Sequence, residues 1–339
     1  MLSSICLFSR LRPAAWYAML VKMKKESWDL MEMPVVFDGH CDTPVELWRK
    51  QESLLRNTGA VCLERAEKLN GYLQFYAFCT CWQDGPARAA EHFSAALPYF
   101  ERELQKNADS ISLCRSARDA EQAIQKGRCG AFLSVEGAEA LGCDPARLQS
   151  AWERGVRMVT LTWNFQNALA GSCVTGEGLS GQGREFAREA QRLGILLDVS
   201  HLSDRAFWDL CEISEKPIVA SHSNSRAVCA NRRNLTDEQF LALCRLGGTA
   251  GINLYGAFLT EGAPTLDDVY RHIDRFLSLG GEGHVALGGD LDGCEELPEG
   301  FAGVDDYRAL YAYLSGRGYP QSTLCSLFSG ALLDVLKKA

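Results

Sequence analysis

The sequence predicts a (β/α)8 barrel, because short apolar segments alternate with longer amphipathic segments along almost the whole chain. Eight apolar segments occur, and each is nearly continuous in hydrophobicity, which indicates parallel strands covered on both faces. Several amphipathic segments end at a glycine, as helices commonly do. A doubly wound open sheet is the alternative that the same pattern allows.

The eight predicted strands are short and rich in branched and aromatic apolar residues. In chain order they are Val35–Asp38, Tyr72–Cys79, Ala131–Val135, Met158–Thr162, Ile195–Val199, Ile218–Ser221, Thr249–Leu254 and Val285–Gly289. Their even distribution along the chain favours one barrel over two separate sheets.

Helix-length segments lie between most of these strands, and two more follow the last strand. The predicted helices are Arg88–Leu104, Ala117–Lys126, Pro145–Arg154, Gly181–Leu193, Asp204–Ile213, Asp237–Leu246, Leu266–Leu279, Asp305–Leu314 and Ser322–Lys337. No linker divides the chain after residue 34, so we expect a single catalytic domain over 34–339. Residues 1–33 are expected to be a leader that is disordered or was added in cloning.

The composition excludes several classes of protein. The 339 residues are 47% hydrophobic and 23% charged, which excludes a disordered, collagen-like or coiled-coil chain. A formal net charge of −8 argues against a nucleic-acid-binding surface. The 14 cysteines contain no CxxC pair, so we expect reduced, structural thiols. No long uncharged apolar run or secretion signal is evident, and we expect a cytoplasmic protein without a membrane segment.

Polar residues stand where several predicted strands end, which is where active sites lie in a barrel. Three of the six histidines, His40, His201 and His222, occupy such positions. Asp42 follows the first strand, and Glu136 follows the third. This concentration of imidazoles and carboxylates predicts a functional site at the carboxyl ends of the strands.

These residue types indicate a metal site. His40 and Asp42 are two positions apart, so in an extended segment their side chains point to the same side. An isolated carboxylate at Glu136 would be costly to bury, which argues for a cation nearby. Imidazole and carboxylate ligands from separate strands suit zinc or a similar divalent ion, and one carboxylate can bridge two ions. Asp198 is expected to be structural or to accept a hydrogen bond from a ligand histidine.

Five motifs occur in a fixed order along the chain. They are DGHCDTP (38–44), SVEG (134–137), GLSGQGREFAREAQRLGILLDVSH (178–201), SHSNSRAVCANRRNLTDE (221–238) and GGDLDG (288–293). Together they resemble the membrane (renal) dipeptidase family of binuclear zinc peptidases, which are amidohydrolase-like barrels. The resemblance extends from about Val35 to Leu336.

The resemblance implies a centre with two divalent metal ions, with Zn2+ as the expected metal. His40 and Asp42 would bind one ion, His201 and His222 would bind the other, and Glu136 would bridge both.

The resemblance also implies residues that act on the substrate. Arg233 would hold the terminal carboxylate, which suits a guanidinium fork, and Arg232 is the alternative assignment. Asp290 matches the aspartate that contacts the bridging water and transfers the proton, so it is both the catalytic residue and a substrate-binding residue. Asp292 is expected to support its loop.

Two positions depart from the family pattern. Trp163 stands where eukaryotic members have a histidine that contacts the substrate, which puts the substrate preference in doubt. Trp163 and Asn164 are nevertheless candidate substrate-binding residues, and Asn164 or Asn167 could donate a hydrogen bond there. Cys41 stands where asparagine is frequent and should point away from the ligand side.

The resemblance therefore implies a metallopeptidase of the soluble, microbial type that hydrolyses dipeptides, including those with a C-terminal D-residue, by means of a hydroxide bridging two zinc ions. The alternatives are an amidohydrolase acting on N-acyl or cyclic amides, and a metal-binding barrel that has lost catalysis. The expected partner is a small dipeptide, with no nucleic acid and no membrane, and the family resemblance suggests a homodimer.

Overall fold

Eight parallel strands close into a barrel in the computed structural model, which describes residues 33–79 and 85–339. With one additional short strand, the strands are β1 Val36–Cys41, β2 Tyr72–Cys79, β3 Ile111–Leu113, β4 Cys129–Glu136, β5 Val156–Thr160, β6 Leu196–Asp198, β7 Ile218–Ala220, β8 Thr249–Ile252 and β9 Val285–Leu287. The predicted leader, residues 1–33, lies outside the described residues except for Met33.

The barrel closes because β2 pairs with both β1 and β4. From β1 the ring continues through β9, β8, β7, β6 and β5 back to β4, and every pairing is parallel. This closure confirms the predicted (β/α)8 barrel and excludes the open sheet. Each of the eight predicted strands is present, with ends that differ by up to three residues.

Helices cover the outside of this barrel. In the described chain they are α1 Thr43–Lys50, α2 Leu63–Ala66, α3 Ala89–Lys106, α4 Ala117–Gln125, α5 Leu148–Glu153, α6 Gly181–Leu193, α7 Asp204–Ile213, α8 Asp237–Arg245, α9 Gly256–Leu259, α10 Leu266–Ser278, α11 Tyr307–Gly316, α12 Gln321–Cys325 and α13 Ala331–Lys338. Several of these helices begin with a side-chain cap, and Ser180, Ser203 and Thr236 each accept the backbone N–H of the residue three positions ahead. No helix among the described residues is long and apolar enough to cross a membrane.

The predicted set lacked strand β3 and the short helices α1, α2 and α9, of which β3 and α1 lie against barrel strands. Helix α1 begins directly after Asp42, has Pro44 in its first turn and packs against α3 and β2. Strand β3 pairs with the first residues of β4, before β4 turns to pair with β5. Strand β3 has three residues and carries almost no periodic signal, and helix α1 has only eight. Tertiary packing therefore decides whether these two elements form.

The last predicted helix, Ser322–Lys337, is one continuous helical segment in which the winding changes. A π-helical stretch, Ser326–Gly330, separates α12 from α13 and packs against β1 and β9. The wider turn changes which residues face the barrel, an adjustment that a strict helical period does not anticipate.

Aromatic rings fill the barrel interior beneath the carboxyl ends of the strands. Phe37, Phe75 and Phe132 are fully buried, and their ring centroids lie 5.7, 5.3 and 5.1 Å apart. Phe132 lies four residues before Glu136 on β4. The polar site therefore rests on a packed apolar layer, as is usual in such barrels.

Candidate metal centre

The five predicted metal ligands converge at the carboxyl ends of four strands. His40 and Asp42 lie at the end of β1, Glu136 ends β4, His201 follows β6 and His222 follows β7. None of the five is more than 8% exposed. Donor atoms of Glu136, His201 and His222 lie within 4.8 Å of one another.

The carboxylate of Glu136 faces the two halves of this cluster with different oxygens. Oε2 lies 3.4 Å from Nε2 of His40. Oε1 lies 2.8 Å from Nε2 of His201 and 3.4 Å from Nε2 of His222. On the first side, Asp42 Oδ1 is also 3.4 Å from His40 Nε2. This is the arrangement that a carboxylate bridging two cations requires.

Hydrogen bonds to the Nδ1 atoms of His201 and His222 determine which nitrogen of each ring faces the cluster. His201 Nδ1 lies 2.8 Å from Oδ1 of Asn164, an acceptor, so Nδ1 carries the proton. His222 Nδ1 lies 2.7 Å from Ser221 Oγ. The Nε2 atoms of the two rings are 3.1 Å apart, and the lone pair of each faces the same position. This arrangement suits a single cation bound by both histidines.

A buried aspartate controls the orientation of His222 through Ser221. Ser221 Oγ donates to Asp198 Oδ2 at 2.5 Å, so it accepts the proton of His222 Nδ1. Asp198 Oδ2 also accepts from Thr160, and its Oδ1 accepts the backbone N–H of Ser200 and Ser221. Asp198 therefore reaches His222, a predicted ligand, through the serine, which is an indirect form of the expected contact.

A second buried aspartate holds the loop that carries His40. Asp38 Oδ1 accepts the backbone N–H of His40 at 2.9 Å and of Gly289 at 3.0 Å, and its other oxygen accepts the hydroxyl of Tyr307. Asp38 thus joins β1, the loop after β9 and α11. Burial raises the pKa of Asp38, although these hydrogen bonds oppose that effect.

Two of the site residues adopt a left-handed backbone. His201 has φ 71° and Asp290 has φ 56°, values that are uncommon for residues other than glycine. Each follows the carboxyl end of a strand, where the turn directs the side chain into the site. Such strain persists only where the surrounding structure enforces it, and it is often found at functional sites.

Burial and neighbouring charges shift the pKa values of several groups in the cluster. Burial and the charge of Glu136 raise the pKa of Asp42 to about 8, and burial raises that of Asp290 to about 6. Burial opposes protonation of His40, but Glu136 and Asp42 raise its pKa well above the ordinary value. Burial and the charge of Arg233 lower the pKa of His201 to about 4, which leaves its imidazole neutral at pH 7 and able to bind a metal.

The residues present therefore fit divalent cations. His40 Nε2 and Asp42 Oδ1 are buried without a hydrogen-bond partner among the described residues, which is costly unless another ligand satisfies them. Crowded carboxylates with raised pKa values gain charge compensation from a cation. Donors of imidazole nitrogen and carboxylate oxygen are those that zinc and similar ions accept.

Asp290 and Arg233, the predicted substrate residues, lie close to this cluster. Asp290 Oδ1 is 3.9 Å from His40 Nε2, and its Oδ2 accepts from Asn253 Nδ2 at 3.0 Å. Arg233 is buried over the ring of Phe258, and its Nε and Nη2 have no hydrogen-bond partner in the described chain. The alternative, Arg232, is exposed.

The other predicted positions have the following contacts. The ring of Trp163 lies 6.0 Å from that of His201, at the border of the site. The amide oxygen of Asn164 accepts a hydrogen bond from His201, one of the predicted ligands. Asp292 accepts from the Thr43 hydroxyl and from the backbone N–H of Ala60, which supports the loop as expected.

Sequence reasoning missed the roles of Ser221, Asn253 and Tyr307. Ser221 directly precedes His222, a predicted ligand, and a serine at that position was the available signal. Asn253 follows β8 and orients Asp290, but nothing in its local sequence marks it. Tyr307 reaches Asp38 from a helix 269 residues away in sequence, so only the fold reveals the contact.

A parallel barrel whose strands deliver histidines and carboxylates to one buried cluster has the arrangement found in metal-dependent hydrolases. The family model for membrane dipeptidase (peptidase family M19) matches residues 24–339. The chain therefore belongs to the membrane dipeptidase family and is a metallopeptidase.

Two solved structures agree with this assignment, and a further relative is similar in sequence. A metallopeptidase from Rhodobacter sphaeroides, liganded with a phosphinate mimic of L-Ala-D-Ala, is 28% identical, with a TM-score of 0.84 over 90% of this chain and 99% of that one. Dipeptidase AC, a metallopeptidase of family M19, is 29% identical, with a TM-score of 0.81 over 91% and 99%. An uncharacterized protein in the pqqA 5′ region of Klebsiella pneumoniae is 34% identical over 247 residues, 69% of this chain and 91% of that protein.

Proposed function

We propose that this enzyme hydrolyses the peptide bond of free dipeptides, including those with a C-terminal D-residue, at a centre of two divalent cations, with Zn2+ as the expected metal. The observation that carries the proposal is Glu136, whose two oxygens face His40 on one side and His201 and His222 on the other. When bound, the cations would supply the Lewis acidity that makes hydroxide available at neutral pH.

We assign the transfer of the proton from water to the leaving amine to Asp290. Its Oδ1 faces the cluster near His40, while Asn253 holds Oδ2 in place. A carboxylate held in this position can accept a proton in one step and release it in the next. It would take the proton of the attacking water and deliver it to the departing amine.

Arg233 is assigned to the terminal carboxylate of the substrate. Two of its guanidinium nitrogens are buried without partners in the described structure, so a carboxylate ligand would satisfy them. Recognition of a free carboxylate by Arg233 would restrict cleavage to the bond that precedes the C-terminal residue. The phosphinate mimic of L-Ala-D-Ala held by the similar Rhodobacter sphaeroides enzyme supports including D-residues at this end.

The activity is tested with zinc-loaded protein and the substrates L-Ala-L-Ala and L-Ala-D-Ala. We expect hydrolysis of both, and loss of hydrolysis after removal of metal with a chelator. Asp290→Asn should lower kcat by about 10²- to 10⁴-fold, the usual contribution of a positioned acid or base. Glu295→Gln, an exposed carboxylate in the same loop, is the control. Turnover by Asp290→Asn equal to that of the wild type would remove Asp290 from proton transfer.

The role of Arg233 is tested by comparing a dipeptide with its C-terminal amide. Arg233→Lys should lower kcat/KM for the free dipeptide by about ten- to a hundredfold, the range expected for charged hydrogen bonds. It should change hydrolysis of the amide little, because the amide lacks the carboxylate. Arg232→Lys, at the exposed neighbour, is the matched control. An equal loss with both substrates would contradict the assignment.

A further inference from the structure

A cysteine thiol lies beside the metal centre. Cys79 ends β2 and is 1% exposed. Its sulfur and one carboxylate oxygen from each of Asp42 and Glu136 lie within 4.8 Å of one another.

Strand register explains why this side chain faces the site. Cys79 is the direct partner of Glu136 in the parallel pairing of β2 with β4. Four residues earlier in the same ladder, Phe75 is the partner of Phe132, and their rings meet inside the barrel at 5.1 Å. Because side chains alternate along a strand, Phe75 and Cys79 share the inward face. The thiol therefore occupies the same layer as the bridging carboxylate.

A second observation points to a ligand at this place. Asp42 Oδ1 and His40 Nε2, on the β1 side of the cluster, are buried without hydrogen-bond partners in the described part of the chain. These atoms and the Cys79 sulfur are donors of types that zinc and cobalt accept, and a thiolate is a stronger ligand for such ions than a carboxylate is.

We propose that Cys79 is an additional ligand of the cation held by His40, Asp42 and Glu136. This inference rests on the proposed metal centre but goes beyond its five ligands. The ligand is the thiolate, so binding breaks the S–H bond, forms a metal–sulfur bond and releases one proton to solvent. A sulfur ligand would favour zinc, cobalt and cadmium at this position over magnesium and manganese.

The test is spectroscopic and does not depend on turnover. The full-length protein is freed of metal, loaded with Co2+, and examined for the near-ultraviolet charge-transfer band of a cobalt–thiolate bond. We expect the band in the wild type and in Cys211→Ser, whose cysteine lies on α7. We expect its loss in Cys79→Ser, with cobalt still bound.

X-ray absorption of the zinc-loaded wild type provides a measurement that needs no variant. A zinc–sulfur distance of about 2.3 Å supports the proposal, whereas a shell of nitrogen and oxygen alone at about 2.0–2.2 Å overturns it. A cobalt band that persists in Cys79→Ser also overturns it while leaving the metal centre intact. Failure of the protein to bind any divalent cation would overturn both this inference and the proposed function.

Discussion

At the scale of single residues, the site depends on side chains that do not themselves bind the expected cations. Ser221 accepts from His222 Nδ1 and donates to Asp198, which leaves His222 Nε2 as the atom presented to the centre. Asn164 does the same for His201. Without such partners an imidazole can adopt the wrong tautomer or rotate, so these residues decide how well the ligands are preorganised.

Replacing Ser221 should therefore weaken metal binding. In Ser221→Ala the His222 ring loses its acceptor and Asp198 loses a donor, and we expect the affinity for zinc to fall by about 10- to 100-fold. Competition with a chromogenic chelator measures this change. Thr249→Val is the control, because it removes a buried hydroxyl that has no hydrogen-bond partner among the described residues. Unchanged zinc affinity in Ser221→Ala would show that Ser221 does not position the ligand.

At the scale of elements, buried polar groups join segments that are distant in sequence. Asp38 connects β1 to the loop after β9 and to α11. His272 on α10 accepts the backbone N–H of Ser225, which follows β7, and its Nε2 donates to the carbonyl of Leu259 at the end of α9. Both of these contacts require a neutral ring with the proton on Nε2.

His272 should make the stability sensitive to acid. Burial lowers the pKa of His272 to about 4, below the ordinary value of 6.5. Above pH 6.5 the ring is neutral in both the folded and the unfolded state. As the pH falls from 6.5 toward 4 only the unfolded state gains the proton, so the free energy of unfolding should decrease by about 3 kcal/mol.

Urea denaturation at pH 7 and pH 4.5 measures this effect. His272→Gln should lose less stability on acidification than the wild type does, because the titrating group is gone. His284→Gln, at the half-buried histidine before β9, is the matched control and should keep the wild-type dependence. An identical pH dependence in wild type and His272→Gln would contradict the prediction.

At the scale of the whole molecule, the barrel holds a rigid apolar interior beneath its polar site. The rings of Phe37, Phe75 and Phe132 pack together inside the barrel. They belong to β1, β2 and β4, and the barrel closes where β2 pairs with the other two strands. Because interiors are close-packed, a void there cannot be filled by small adjustments of neighbouring side chains.

Phe132→Ala should accordingly be strongly destabilising. We expect the free energy of unfolding to fall by about 3–5 kcal/mol, from the lost burial and the cavity left behind. Phe165→Ala, at a phenylalanine that is 38% exposed, should change it by no more than about 0.5 kcal/mol. Chemical denaturation of the two variants provides the comparison, and similar values for both would contradict the role of the aromatic layer.

Much of this molecule follows from local patterns in the chain. The alternation of apolar and amphipathic segments predicted all eight barrel strands, because burial on both faces imposes a hydrophobicity that can be read residue by residue. Local sequence also predicted that five residues converge, because barrel strands place their ends at one rim. These residues are His40, Asp42, Glu136, His201 and His222. The family motifs around these residues strengthened that prediction.

Contacts between distant segments were decided only by the tertiary structure. The sequence indicated that the cysteines are structural, yet the register of β2 with β4 places Cys79 beside Glu136. Tyr307 and Asn253 likewise acquire their contacts with Asp38 and Asp290 only when the barrel closes. The physical reason is that periodicity reports which face of an element is buried, whereas the partner across that face depends on strand register and on packing between segments far apart in the chain.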